Sequence, residues 1–347
     1  MKFYQKCLKI WFDILTPKQL LFFESLIRRL QKSNKLLCTS RNYREVTELA
    51  RIRGMKLIFV GKHGGADRSG KLNASLRRMH NLSKIVEKFM PDLTISFCSP
   101  EASRISYGFG VKHIAFCDSP HAEAVMRLSI PFIQKLFIPW VIPKKEFSKY
   151  GISEKAIIHY KAIDAAVIVK NKSKKYSRND FSLKNKKTIL IRTEESHAAY
   201  ISNKKNSFKI VRKIAREFLN YNIVILGRYS TQIHQFKKEF GNNLTVMDKV
   251  IDGKSLLEFT DVFVGSGGTM TAEAALMGIP TISYDAVPNY IEQHLVRIGL
   301  IRRENNPEKI VRIVKQILEL DDKETRRKAK KILNSMEDPF TKLVALI

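Results

Sequence analysis

The sequence predicts an α/β protein of two doubly wound, Rossmann-like domains facing across a cleft, and three observations predict it. Its 347 residues suit two domains of ordinary size. Short apolar runs alternate with amphipathic stretches along nearly the whole chain. The runs are continuously apolar, which is the pattern of parallel strands covered on both faces.

In the first half, strands are expected at Leu8–Ile14, Lys35–Thr39, Lys56–Val60, Leu93–Phe97 and His113–Cys117. Helices are expected at Pro17–Gln31, Tyr43–Arg53, Gly70–Phe89 and Ser103–Gly108. Thr16 before Pro17 is an N-cap followed by a first-turn proline, and Gly54 and Pro91 stop two helices. In the second half, strands are expected at Thr188–Ile191, Ile223–Leu226, Leu244–Val246, Val262–Val264 and Thr281–Ser283. Helices follow at Phe208–Asn220, Thr231–Phe240, Thr269–Met277, Asn289–Ile298 and Pro307–Leu320. The lysine-rich stretch 170–187 (KNKSKKYSRNDFSLKNKK) reads as the least ordered segment. The boundary is placed near 165, giving domains 1–165 and 166–337. No repeat of solenoid length is present.

Composition narrows the class. There are 62 Lys and Arg against 33 Asp and Glu, a formal net charge of +29. Three readings stay open: attraction to an anionic membrane surface, binding of nucleic acid, or a lysine-rich proteome painting solvated faces. No nucleic-acid module or interleaved aromatic–basic patch is present, so nucleic acid is not the expected partner. Cys7, Cys38, Cys98 and Cys117 are widely spaced, and three of them sit in or beside apolar runs, which suggests buried structural thiols in a reducing compartment; no CxxC or His-x-x-His spacing suggests a zinc site. No run of 18 apolar residues suggests a membrane span, and the N-terminus reads as a first strand, not a signal peptide. A cytoplasmic protein is expected.

Residues 260–283 (TDVFVGSGGTMTAEAALMGIPTIS) carry the clearest chemistry. An apolar strand runs into Gly265, Ser266, Gly267 and Gly268, and a helix opens at Thr269. Such a turn offers backbone N–H groups and a positive helix end to a phosphate. Glycine lets the anion approach without a Cβ in the way. Glu273, one turn into the helix, suits a ribose diol. The plainer alternative is a tight strand-to-helix connection.

Other candidates follow predicted strands, where doubly wound domains bind ligands. Arg192 and Arg228 are candidates for the phosphates, with His197 nearby; Glu194 and Glu195 offer Arg192 a salt bridge instead. Asp13 could cap a helix or act as a base, and Thr16 is the better cap. His63 sits between glycines in GKHGG, and Asp118, His121 and Glu123 cluster in DSPHAEA, where Asp118 or Ser119 could cap the next helix.

The 260–283 segment resembles the nucleotide-sugar signature of GT-B proteins. It is similar to the GlcNAc transferase that makes lipid II and to non-hydrolysing UDP-GlcNAc 2-epimerases. WFDILTPKQLLFF, VGKHGG (60–65), SPEASR (99–104), FCDSPHAEAV (116–125), IRTEESHAAY (191–200) and VGSGGTM run in order. Together they resemble an archaeal family of unknown function, number 354, over nearly the full length. The resemblance implies a GT-B fold and a final helix (338–347) that packs back on the first domain, and no established reaction comes with it; from the donor-loop spacing a UDP-sugar is the expected substrate, with no separate cofactor or metal. Gly265–Thr269, Arg192 and Arg228 would then hold the diphosphate and Glu273 the ribose. Asp13, His63, His121 and Glu123 would face the acceptor, with a lipid-linked acceptor as one option. An epimerase is the alternative, although the histidine–arginine loop of those enzymes has no counterpart in RTEESH (192–197). A non-catalytic polyanion- or membrane-binding protein is the third reading.

Overall fold

The computed structural model describes residues 7–65, 67–193, 206–227, 230–241, 244–320 and 323–347. The chain divides into two compact units, Met1–Val167 with Glu337–Ile347, and Ile168–Met336. Each is a parallel sheet covered by helices.

The first unit holds seven strands: β1 (Lys9–Ile14), β2 (Lys35–Asn42), β3 (Ile58–Lys62), β4 (Leu93–Ser96), β5 (Lys112–Phe116), β6 (Lys135–Pro139) and β7 (Ile157–Tyr160). Their order is β3-β2-β1-β4-β5-β6-β7. The chain winds outward from β1 to β3, then returns to place β4 against β1, so the winding direction reverses between β1 and β4. Its helices include α1 (Pro17–Leu30), α2 (Arg44–Ile52), α3 (Arg68–Phe89), α4 (Pro100–Gly108), α5 (Glu123–Ser129), α6 (Lys145–Ser148) and α7 (Asp164–Lys170). Thr16 caps α1 by accepting from Gln19 N. Met90, with φ +50°, ends α3 ahead of Pro91.

Several boundaries move. β3 runs two residues beyond the expected end, so Gly61 and Lys62 belong to the strand and not to the loop. Gly61 adopts φ +74°, and a Cβ there would lie 3.0 Å from that of Arg78. α4 begins at Pro100, because Ser99 accepts from Ala102 N and caps it. Two strands, β6 and β7, lie where no strand is expected. Cys7 is exposed and Cys38 half-buried, so only Cys98 and Cys117 are buried thiols.

The last helix described in this unit comes from the chain's end. On it, Phe340 places its ring 5.1 Å from Phe22 and 5.9 Å from Phe116. Glu337 accepts from Lys161 N and donates its own N–H to Lys161 O.

The second unit holds β8 (Thr188–Arg192), β9 (Asn222–Leu226), β10 (Thr245–Met247), β11 (Val262–Gly265), β12 (Thr281–Ser283) and β13 (Ile301–Arg303), in the order β10-β9-β8-β11-β12-β13. Its helices are α8 (Asn206–Glu217), α9 (Ser230–Phe240), α10 (Gly253–Leu257), α11 (Thr269–Leu276), α12 (Tyr290–Arg297), α13 (Pro307–Glu319) and α14 (Lys323–Ser335); Pro339–Val344, in the first unit, is α15. Successive strand residues bury on opposite faces. Ile189, Ile191, Ile223 and Ile225 pack with Ile210 and Ile214 of α8 and Ile310 of α13. Leu190, Val224 and Phe263 pack with Phe181, Leu183, Leu256 and Ala274 on the other side. Each such side chain contributes on the order of 1.5–3 kcal/mol by leaving water. The lysine-rich stretch is therefore held to the core by Phe181 and Leu183, and the Tyr176 ring lies tilted 5.4 Å from that of Phe181.

Candidate functional site

In the second unit the winding reverses between β8 and β11, the place where doubly wound sheets bind ligands. The register pairs Gly265 with Arg192, so the two strands end side by side there. β11 then turns through Ser266, Gly267 and Gly268 into α11. Gly267 and Gly268 have φ +80° and +82°, a region closed to most side chains. A Cβ on Gly267 would lie 2.7 Å from that of Ala286, and one on Gly265 would lie 2.4 Å from the Phe263 ring. The turn is therefore built for glycine.

Gly268 occupies the N-cap of α11, and no side chain caps that end. The first-turn N–H groups and the positive end of the helix dipole thus face the turn without an internal acceptor. Ser266 and Thr269 are half-buried beside it. Thr271 Oγ1 donates to Gly267 O at 2.9 Å and fixes the turn. Arg192 anchors one guanidinium nitrogen on Gly227 O at 3.1 Å, at the end of β9. Glu273 is buried within α11. Arg228 and His197, the other candidates of this unit, lie outside the described residues.

The opposite wall comes from the segment after β12. Tyr284 N donates to Gly265 O at 2.9 Å, and Asp285 adopts φ +45°, rare for a non-glycine residue. From α12, Glu292 is buried; its Oε1 accepts from Ser283 Oγ at 2.7 Å and lies 3.6 Å from Arg303 Nε. Its Oε2 is buried without a hydrogen-bond partner among the described residues, 3.5 Å from where a Gly267 Cβ would stand. Sequence reasoning missed Glu292. Its only signal is a carboxylate in the first turn of a helix that follows the Gly-x-Pro strand.

The first unit gathers two further groups at the carboxyl ends of its strands. Asp13 is fully buried, next to last in β1, opposite Ser96 of β4. Arg78 Nη1 and Nη2 reach its two oxygens at 3.1 and 2.5 Å, and Ser99 and Thr39 donate at 2.6 and 2.7 Å. Burial works against its charge, but Arg78 and these hydroxyls outweigh burial and hold the carboxyl below its ordinary range. Glu101 stands beside Arg78 at 3.6 Å and accepts from Ser75.

In the second group, Lys18 Nζ bridges Asp118 at 2.5 Å and Asp164 at 2.7 Å. Tyr160 donates to Asp164 at 2.6 Å. Burial and the neighbouring Asp118 push the Asp164 carboxyl up to about 7, against the pull of Lys18. Lys18 holds Asp118 low despite burial. The structure thus corrects one expectation: Asp118 caps no helix, and neither does Ser119. α5 starts after Ala122 without a side-chain cap. His121 and Glu123 are exposed, and Glu123 pairs with Arg127 one turn on. His63 is exposed on the other side of the sheet order, with its ring 5.8 Å from that of Tyr43. The structure therefore brings Gly265–Thr269, Arg192 and Glu273 into one neighbourhood. Asp13, His63 and the pair His121 and Glu123 sit at separate places in the first unit. Among the described residues no group of three or more His, Cys, Asp or Glu could hold a metal ion.

Two units of this winding define the class: the chain has the GT-B fold. It belongs to the family described as "Protein of unknown function (DUF354)", whose model matches residues 8–347. An uncharacterized protein of Methanocaldococcus jannaschii is 24% identical over 331 residues, 91% of this chain and 95% of that protein. Among solved structures, the UDP-GlcNAc 2-epimerase of Neisseria meningitidis bound to UDP-GlcNAc is similar at TM-score 0.71 and 15% identity, covering 97% of this chain and 98% of that one. The UDP-GlcNAc 2-epimerase of M. jannaschii gives 0.65 and 14%, covering 94% and 98%. The spinosyn forosaminyltransferase gives 0.64 and 14%, covering 98% and 99%. At these identities the likeness shows the fold.

Proposed function

We propose that this chain is a nucleotide-sugar-dependent glycosyltransferase that takes a UDP-sugar on its second unit. The observation that carries the reading is the uncapped glycine turn of α11, set beside Arg192 where the winding reverses. The turn amides and the Ser266 and Thr269 hydroxyls hold the diphosphate, and Arg192 and Arg228 complete its charge balance. Glu273 takes the ribose. The unpartnered oxygen of Glu292 accepts a hydroxyl of the sugar, since a carboxylate there would repel phosphate but welcome an O–H.

In transfer, an acceptor oxygen bonds the anomeric carbon as the bond to the diphosphate breaks, and the hydroxyl proton goes to a carboxylate. The first unit's candidates for acceptor chemistry are the Asp118–Lys18–Asp164 set with His121 and Glu123 after it and, at a separate place just after edge strand β3, His63. Asp13 acts through Arg78, whose position it fixes. A lipid-linked acceptor at the cytoplasmic membrane face suits the basic character of the chain.

A second reading is sugar-nucleotide epimerisation, favoured by the likeness to UDP-GlcNAc 2-epimerases. Product sugar formed without any acceptor separates it from transfer. The first test is a thermal-shift screen with UDP-, GDP-, CMP- and TDP-sugars on wild type and Glu273→Ala. Stabilisation by UDP-sugars alone, lost in the variant, supports the reading; no shift with any nucleotide sinks it.

A further inference from the structure

We propose that the outward face of α3, together with edge strand β3, docks on an anionic lipid bilayer surface. The net charge of +29 does not gather at the glycine turn, because residues 251–300 hold six acidic and two basic residues. It concentrates elsewhere. Residues 51–86 hold nine basic residues and a single acid, Asp67. That acid is committed as the cap of α3, accepting from Gly70 N at 2.7 Å. Arg53 and Arg78 are buried and paired with Glu24 and Asp13. Lys56, Lys62, Arg68, Lys71, Arg77 and Lys84 are exposed, and none forms an ion pair among the described residues.

The same two elements also expose apolar side chains. Leu72 and Leu76, one helical turn apart, are 61% and 49% exposed, and Ile58 of β3 is 48% exposed. Ile58 lies on the same sheet face as Val60, which packs beneath α3 against Leu82 and Val86. Cations around aliphatic side chains match a headgroup layer with acyl chains below it. A nucleic acid would use the charges and leave the leucines in water. A second copy of the chain would set the same six cations against themselves in a two-fold contact. No helix among the described residues is long and apolar enough to cross a membrane, and the contact proposed is with the surface.

The proposal does not depend on the nucleotide reading, because its readout is binding alone. The full chain is sedimented with vesicles of phosphatidylcholine, and with vesicles in which a third is phosphatidylglycerol. Binding to the anionic vesicles only is expected. Leu72→Glu/Leu76→Glu weakens it tenfold or more, with the thermal midpoint unchanged. Lys71→Gln/Arg77→Gln weakens it about 25-fold, at about fivefold per basic residue. Lys330→Glu/Lys331→Glu on α14, an equally exposed pair, changes it by less than about threefold. An equal loss in that control, or no binding of wild type to the anionic vesicles, overturns the proposal. So does a dimer that Leu72→Glu/Leu76→Glu dissociates while vesicle binding persists, which would make the face a self-association surface. Binding of wild type to duplex DNA that Lys71→Gln/Arg77→Gln weakens, without vesicle binding by wild type, would overturn the proposal and assign the charge to nucleic acid.

Discussion

Arg78 grips Asp13 through both terminal nitrogens, and the pair is sealed from water where the first sheet reverses its winding. Removing one partner leaves a buried charge uncompensated, which costs about 3–5 kcal/mol. Arg78→Met is therefore expected to lower unfolding free energy by that amount in urea titrations. Arg78→Met/Asp13→Leu is expected to lose less than the single change. The carboxyl is held below its ordinary 3.8, so its contribution is complete above that value and fades as pH falls through the lower folded value. Equal loss in single and double variants would contradict this account.

Asp164 and His113 tilt the pH dependence of stability in opposite directions. Asp164 keeps its proton up to about 7 when folded, against 3.8 ordinarily, so it favours folding at low pH and that benefit is lost as pH rises between the two values. Asp164→Asn is expected to make stability rise more steeply with pH in that window than in wild type, by up to about 1.4 kcal/mol per unit. Denaturation midpoints measured at pH 4.5 and 6.5 check it.

His113 is buried, with Nε2 2.9 Å from Ser96 Oγ and Nδ1 without a partner among the described residues. Burial lowers its ring from 6.5 to about 3. Unfolding then takes up a proton between those values, so stability falls as pH drops through 6.5. His113→Gln is expected to flatten this acid limb relative to wild type; an unchanged slope would show that the ring is charged in the folded protein.

Gly267 meets Ala286 too closely to accept a side chain. Gly267→Ala is expected to destabilise the fold by about 1–3 kcal/mol through its positive φ and the clash. Gly267→Ala/Ala286→Gly, which removes the clashing methyl, is expected to recover part of this. Thermal unfolding of the two variants separates clash from backbone strain.

The sequence showed the parallel, doubly wound class because strands such as Val262–Gly265 bury both faces and read as unbroken apolar runs. β6 was hidden inside IPFIQKLFIPWVI, where three prolines at and around it mask the strand. β13, IRR, is an edge strand with two exposed arginines and no apolar signal. The glycine turn was legible from local spacing. The Lys18–Asp118–Asp164 bridge was not, because it joins residues far apart in sequence through sheet order, and Glu292 carried only the weak signal of a first-turn carboxylate.

The central claim is that the Gly265–Thr269 turn holds a nucleotide diphosphate. Calorimetric titration of UDP and of UDP-GlcNAc into wild type and Ser266→Ala, with Glu292→Gln as a third protein, tests it most directly. The account predicts that wild type binds both ligands and that Ser266→Ala weakens both by about tenfold or more, at roughly one hydrogen bond to a charged group. It predicts that Glu292→Gln weakens UDP-GlcNAc but leaves UDP unchanged. Binding of UDP with equal affinity to wild type and Ser266→Ala, or no binding of either ligand to wild type, would contradict it.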